Sequence, residues 1–141
     1  MADALEVTSQ IAIPGRELDW SAARASGPGG QNVNKVSSKV ELYFDFERST
    51  VLDPMTKARL RVIGAVYLDR TGRLRITSQV TRDQSRNLDD ARRKLRELVL
   101  RALIRPKPRR KTKPSRGAIE RRFSDKKRAS EKKKARRTPS E

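Results

Sequence analysis

At 141 residues the chain is long enough for one domain and an appendage, and its 35 Lys+Arg against 17 Asp+Glu leave a formal charge of +18. Charge of that sign points to polyanionic partners, nucleic acid first and anionic membrane second, and the lack of cysteine and histidine excludes a disulfide framework, thiolate chemistry, a histidine triad and a histidine- or cysteine-held zinc. No apolar run approaches the roughly 18 residues of a membrane span, and the first residues lack the charged start, apolar core and small-residue cleavage site of a signal peptide, so a cytoplasmic protein is expected.

Along the chain, Asp19 to Ala25 is expected to be extended, with Trp20, Ala22 and Arg24 on one face. A loop follows, "RASGPGGQNVNK" from Arg24 to Lys35, which holds Gly27, Gly29 and Gly30. Val40 to Phe46 alternates, with Val40, Leu42, Phe44 and Phe46 apolar, and predicts a strand. Asp53-Pro54 opens a helix, a capping carboxylate followed by proline at the first helical position. That helix is expected to run to about Leu68, with Met55, Arg59, Val62, Ile63 and Val66 sharing a face. Asp69 to Gly72 reads as a turn, and Leu74 to Val80 as a further strand. Asn87 is expected to cap a second helix, with Asp89 and Asp90 in its first turn. Leu88, Ala91, Leu95, Leu98 and Ala102 form its apolar stripe, and Pro106 ends it. The order β, glycine loop, β, α, β, α predicts a small α+β layer, one sheet with two helices packed on one face.

Beyond Arg105 the composition changes. Residues 106–141 hold 16 Lys+Arg and 4 Asp+Glu, so about a quarter of the chain carries two thirds of the net charge. Pro106, Pro108 and Pro114 make 106–117 a stiff basic linker, which at about 3.1 Å per residue spans on the order of 37 Å. Residues 118–141 form a basic tail, rich in helix formers over Ala118–Arg137, with Ile119 and Phe123 as its one i,i+4 apolar pair. With so little to bury, it is expected to be disordered alone and helical on RNA.

The glycines by themselves describe a plain turn with positive φ. No Walker lysine follows them, and they do not open the long helix of a dinucleotide-binding unit. The residues after them point further. A hairpin has no need of "QNVNK", whereas a loop that approaches RNA uses each of its parts. Glycine allows close backbone approach and bares N–H donors. Lys35 and Lys39 suit phosphates, and Asn32 and Asn34 suit sugar or backbone oxygens. Other groups have plainer readings: Trp20, Tyr43 and Tyr67 as core aromatics rather than base-stacking platforms, the basic face of "RLRIT" (Arg73–Thr77) as solvated, and Asp83, Asp89 and Asp90 as helix-start carboxylates rather than a metal cluster. No metal or cofactor is expected.

"GGQ" followed by "NVNKVSSKVEL" resembles the catalytic loop of class I peptide release factors. The short length and basic tail resemble, more narrowly, the YaeJ/ArfB-type ribosome-rescue factors and their mitochondrial relatives. "IAIPGREL" (Ile11–Leu18) is similar to the family's opening, and "SQVTRDQSRN" (Ser78–Asn87) to the segment between its last strand and last helix. "KPSRGAIERRFSDKK" is similar to its ribosome-anchoring element, with Arg116, Glu120, Arg121, Arg122 and Lys126 at matching places. Asn32 stands where many members carry histidine.

The resemblance implies a GGQ domain over 1–105 that hydrolyses the ester between peptide and tRNA inside the large ribosomal subunit. Gly29, Gly30 and Gln31 would be the catalytic residues, and ribosomal RNA and the tRNA ribose would supply the proton route. It also implies an anchor in the empty channel where mRNA enters. The candidate RNA contacts there are Arg109, Arg110, Lys111, Lys113 and Arg116 in the linker and Arg121, Arg122, Lys126, Lys127, Arg128, Lys132, Lys133 and Lys134 in the tail. The implied partners are rRNA of both ribosomal subunits, at the peptidyl transferase centre and that channel, and P-site peptidyl-tRNA. The protein is expected to act as a monomer away from membranes. Two alternatives stay open: a non-catalytic ribosome- or RNA-binding module, and a peptidyl-tRNA hydrolase acting off the ribosome.

Overall fold

The protein is described from a computed structural model, which defines residues 3–24 and 37–137. The chain divides into two compact units, Met1–Arg105 and Pro106–Glu141.

The first unit opens with a two-stranded antiparallel ribbon, β1 (Leu5–Glu6) and β2 (Ala12–Ile13), in which Leu5 pairs with Ile13. The Thr8 hydroxyl accepts from Gln10 N and Ile11 N and closes the turn between them. The sequence reading missed these strands because two residues are too few to show an alternation. Their anchors are tertiary: Leu5, Val7 and Ile13 are buried in the common core.

A three-stranded antiparallel sheet follows, in the order β3 (Leu18–Ala23), β4 (Lys39–Phe44), β5 (Leu74–Ser78). The register aligns Leu18–Phe44–Leu74 and Trp20–Leu42–Ile76 across it. One face therefore carries Val40, Leu42, Phe44, Leu74 and Ile76, all buried, as the period of two requires. Phe46, one step past β4, is buried too.

The helix α1 (Pro54–Ile63) starts as expected: Asp53 accepts from Thr56 N at 3.1 Å, and proline opens the first turn. It stops at Ile63, five residues before Leu68, with Gly64 as its cap, and a 3-10 turn over Ala65–Tyr67 replaces the expected last turn. A Cβ at Gly64 would lie 2.8 Å from both the Leu60 carbonyl oxygen and Leu74 Cδ2, so the backbone passes where only glycine fits. The expected apolar face is also corrected. Met55, Val62 and Val66 are exposed at 67%, 76% and 84%, whereas Thr56 and Leu60 are buried and Ile63 packs partly against the core. Thr56 is accommodated inside because its hydroxyl bonds to the Asp53 carboxylate.

The second helix, α2 (Gln84–Leu103), lies across β4 and β5 and against α1. Ala91, Leu95, Leu98, Val99 and Ala102 form its buried stripe, with Leu88 packed at the margin. Each fully buried leucine or valine contributes about 1.5–3 kcal/mol by leaving water. The cap is Asp83 and not Asn87: the Asp83 carboxylate accepts from Ser85 N at 3.0 Å, which shifts Asp89 and Asp90 into the second turn. The architecture is α+β, as the order of periodicities predicts.

In the second unit, residues 106–115 carry no regular secondary structure, and α3 spans Arg116–Arg137. Its start is marked by Ser115, whose carbonyl accepts from Ala118 N and Ile119 N. None of its residues is buried.

Candidate functional site

Strands β3 and β4 are a hairpin whose open end pairs Ala23 with Lys39. The glycine-rich loop is the connection across that end. Gly29, Gly30, Gln31, Asn32, Asn34 and Lys35 lie outside the described residues; what the structure defines is the ground on which the loop stands.

That ground is polar and closely bonded. Ser38, which leads the loop into β4, is buried. Its carbonyl accepts from Asn87 Nδ2 at 2.6 Å, across 49 residues of sequence. Asn87 is itself fully buried, in the first turn of α2. Its amide also donates to the Thr81 carbonyl at 2.9 Å and accepts from Thr81 N at 2.8 Å and Thr81 Oγ1 at 3.0 Å. Two residues further along, Val40 pairs with Ser78, and the Ser78 hydroxyl donates to Asp90 at 2.7 Å. Lys94 and Arg93 approach the same carboxylate at 2.7 Å and 2.5 Å. The Lys94 ammonium first, then the Ser78 hydroxyl and Arg93, hold the Asp90 carboxyl down at about 2.

Lys39, expected to meet phosphate, sits at the hairpin's open end with its ammonium 3.2 Å from Glu41. The Glu41 carboxylate also accepts from the Tyr43 hydroxyl at 2.7 Å. The Tyr43 hydrogen bond and Lys39 together lower the Glu41 carboxyl below the ordinary range. The Arg73 guanidinium stands 4.8 Å from the centre of the Tyr43 ring and pairs with Asp69 at 3.2 Å. Arg75, aligned with Tyr43 and Asp19 on the face of the sheet opposite the core, is exposed. The aromatics differ from the core reading: Trp20 and Tyr67 are 39% and 43% exposed, and Tyr43 is only partly covered. Trp20 shares the inner face with Leu42 but belongs to the edge strand, whereas α2 covers β4 and β5.

The tail cations fall into two sets. Arg109, Arg110, Lys111 and Lys113 lie on the irregular segment before α3. Arg116, Arg121, Arg122, Lys126, Lys127, Arg128, Lys132, Lys133 and Lys134 lie along α3, all of them exposed. Ile119 and Phe123 stay 42% and 68% exposed and, with Pro114 and Ala118, line a shallow cleft edged by Arg122 and Lys126. Such a helix offers cations to a polyanion along its whole length.

Sequence reading missed Ser38, Ser78 and Asp90 as groups that hold the loop's root, and it gave Asn87 a different task. A signal existed for Asn87: asparagine is a poor helix former, and one placed a turn past an Asp cap asks for a partner other than its own helix. Among the described residues, no three acidic side chains come together to hold a metal ion, and no helix is long and apolar enough to cross a membrane. Asp83 and Asp90 are occupied as cap and bridge.

Residues 6–140 match the model of the RF-1 domain family. A peptidyl-tRNA hydrolase ArfB of Pseudomonas putida is 40% identical over 119 residues, covering 84% of this chain and 86% of that protein. The mouse large ribosomal subunit protein mL62 is 36% identical over 95 residues, which span 67% of this chain and 46% of that protein. The meiotically up-regulated gene 82 protein of Schizosaccharomyces pombe is 37% identical over 90 residues, 59% of this chain and 47% of that protein.

Proposed function

The chain belongs to the RF-1 domain family, and we propose that it is a peptidyl-tRNA hydrolase that associates with the ribosome and releases the peptide from stalled complexes. The observation that carries this reading is the intact Gly29-Gly30-Gln31 in a chain alike over most of its length to a peptidyl-tRNA hydrolase. In the reaction, water attacks the ester carbonyl carbon, a tetrahedral intermediate forms, and the carbon–oxygen bond to the tRNA ribose breaks as that oxygen takes a proton. Without histidine or cysteine, the chain can form neither a Ser–His nor a Cys–His nucleophile–base pair. Its part is positioning and a hydrogen-bond donor, and the RNA around the ester provides the rest.

The Gln31 main-chain N–H is assigned to the charge that develops on the intermediate or the leaving oxygen. One such donor supplies roughly 3–4 kcal/mol, a factor of about 10² to 10³. The Gln31 side chain selects water over larger nucleophiles, and Gly29 and Gly30 give the backbone its freedom at that point. Asn32, Asn34, Lys35 and Lys39 contact the surrounding RNA.

Residues 1–105 are the catalytic domain, 106–117 the linker, and 118–141 the anchor. The basic anchor, including Arg121, Arg122 and Lys126, with Arg116 at the end of the linker, occupies the channel where mRNA enters when no message fills it. The protein acts in the cytoplasm, as a monomer. The deciding measurement is peptide release from ribosomes whose message ends in the P site, compared with ribosomes whose message continues well into the channel and with free peptidyl-tRNA. Release only from the first supports the whole reading. Equal release from long messages removes the channel-sensing part, and equal release from free peptidyl-tRNA removes the ribosome-dependent mechanism.

A further inference from the structure

We infer that Asn87 is a positioning residue for the glycine loop: its buried amide fixes the point where that loop enters β4, and with it the aim of the loop. This rests on the proposed role of Gly29, Gly30 and Gln31.

A primary amide has two N–H donors and an oxygen with two lone pairs. In Asn87 all four are used, two donors to the carbonyls of Ser38 and Thr81 and two acceptors from the N–H and hydroxyl of Thr81. The orientation of the amide is set by this pattern. Turned over, it would press its oxygen against two carbonyls and its nitrogen against a main-chain N–H. Asparagine is therefore specified at this position. Aspartate lacks the donors, leucine lacks every polar atom, and glutamine is longer by a methylene.

The bond to Ser38 falls where strand pairing ends. The β3–β4 register ends at Ala23–Lys39 and the β4–β5 register at Val40–Ser78. Ser38 lies outside both ladders, so the amide takes over at the residue where strand pairing stops. It joins that residue to the β5–α2 connection and to the first turn of α2, whose buried face runs on from Asn87 into the core stripe of Ala91, Leu95 and Leu98. The loop's root is thereby referred to the rigid core and not only to its own hairpin. Misplacement of a reacting group by about 1 Å costs a factor on the order of 100 in rate.

The test is peptide release under single-turnover conditions on ribosomes with P-site-truncated messages, with protein concentration varied to separate the maximal rate from the half-saturating concentration. Asn87→Asp keeps size and the acceptor side and removes both donations, so its maximal rate should fall about 10- to 100-fold with half-saturation within about twofold, because the anchor is untouched. Val99→Ala, a core change on the same helix with no part in the loop root, is the control for lost stability; below its melting transition it should release at the wild-type maximal rate. If Asn87→Asp fails to fold, Thr81→Val replaces it; it removes the hydroxyl bonded to the Asn87 amide oxygen, together with that hydroxyl's bonds to the Asp83 carbonyl and N–H, and should lower the maximal rate severalfold. A folded Asn87→Asp, or in its place Thr81→Val, that releases at the wild-type rate overturns the inference, and so does a Val99→Ala that loses as much. If wild-type protein releases no peptide at all, the parent reading falls, and the inference with it.

Discussion

The Ser78 hydroxyl donates to the Asp90 carboxylate at 2.7 Å, and this bond joins the last residue of β5 to the second turn of α2. Lys94 and Arg93 complete the surroundings of that carboxylate, whose pKa lies at about 2 instead of 3.8. A carboxyl lowered on folding stabilises the native state above its unfolded pKa and loses that effect as pH falls through the folded one. Asp90→Asn should therefore lower the melting temperature at neutral pH, and the deficit should shrink as pH drops from 3.8 toward about 2. Thermal unfolding followed by circular dichroism across this range checks the sign; a deficit that stayed constant would assign the effect to packing instead of charge.

Gly64 is a point of contact among three elements. An added Cβ would come within 2.8 Å of Leu60 O and Leu74 Cδ2 and 3.5 Å of Leu98 Cδ2. Gly64→Ala should destabilise the first unit by about 1–3 kcal/mol, the range for overpacking a filled core. Gly117→Ala, where a Cβ meets nothing within 4 Å, should leave that unit unchanged. Urea unfolding of both variants compares the two sites directly.

Gly30→Ala should nearly abolish peptide release while ribosome binding stays close to wild type, because an added Cβ restricts the backbone that presents the Gln31 N–H. Gln31→Ala should be milder, since the main-chain donor survives the substitution. Release kinetics and pelleting with ribosomes, run on the same preparations, read the two effects apart. Wild-type release by Gly30→Ala would remove the assigned mechanism.

Truncation after Arg105 should leave a folded domain that no longer rescues stalled ribosomes. The core extends from Leu5 to Ala102, and α3 has no buried residue to contribute. For the full-length protein, ribosome affinity should fall steeply with salt, as the release of counterions from many phosphate contacts requires. The truncated form should show a much shallower dependence. Circular dichroism, release assays and binding at graded salt separate folding, activity and charge.

Met55, Val62 and Val66 show where reading α1 from spacing alone goes astray. They are apolar and nearly aligned, but the helix buries Thr56 and Leu60 instead. Spacing groups residues on a face without saying which face meets the sheet, and a threonine becomes suitable for burial only once Asp53 bonds its hydroxyl. In α2 the two faces differ so sharply that the stripe from Ala91 to Ala102 allows one orientation.

What the amino acids determined by themselves was every feature written in neighbouring positions: the alternation of Val40, Leu42 and Phe44, the Asp53-Pro54 helix start, the stripe of α2, the basic segment after Arg105 and the Gly-Gly-Gln signature. What tertiary structure alone decided was the N-terminal ribbon, the break at Gly64, the buried side of α1, and the use of Asn87 as a clamp on Ser38 instead of a helix cap. The division has a physical cause. Propensity and periodicity act over one or two turns of chain, whereas a buried amide is satisfied by whichever carbonyl the fold brings to it, here one 49 residues away.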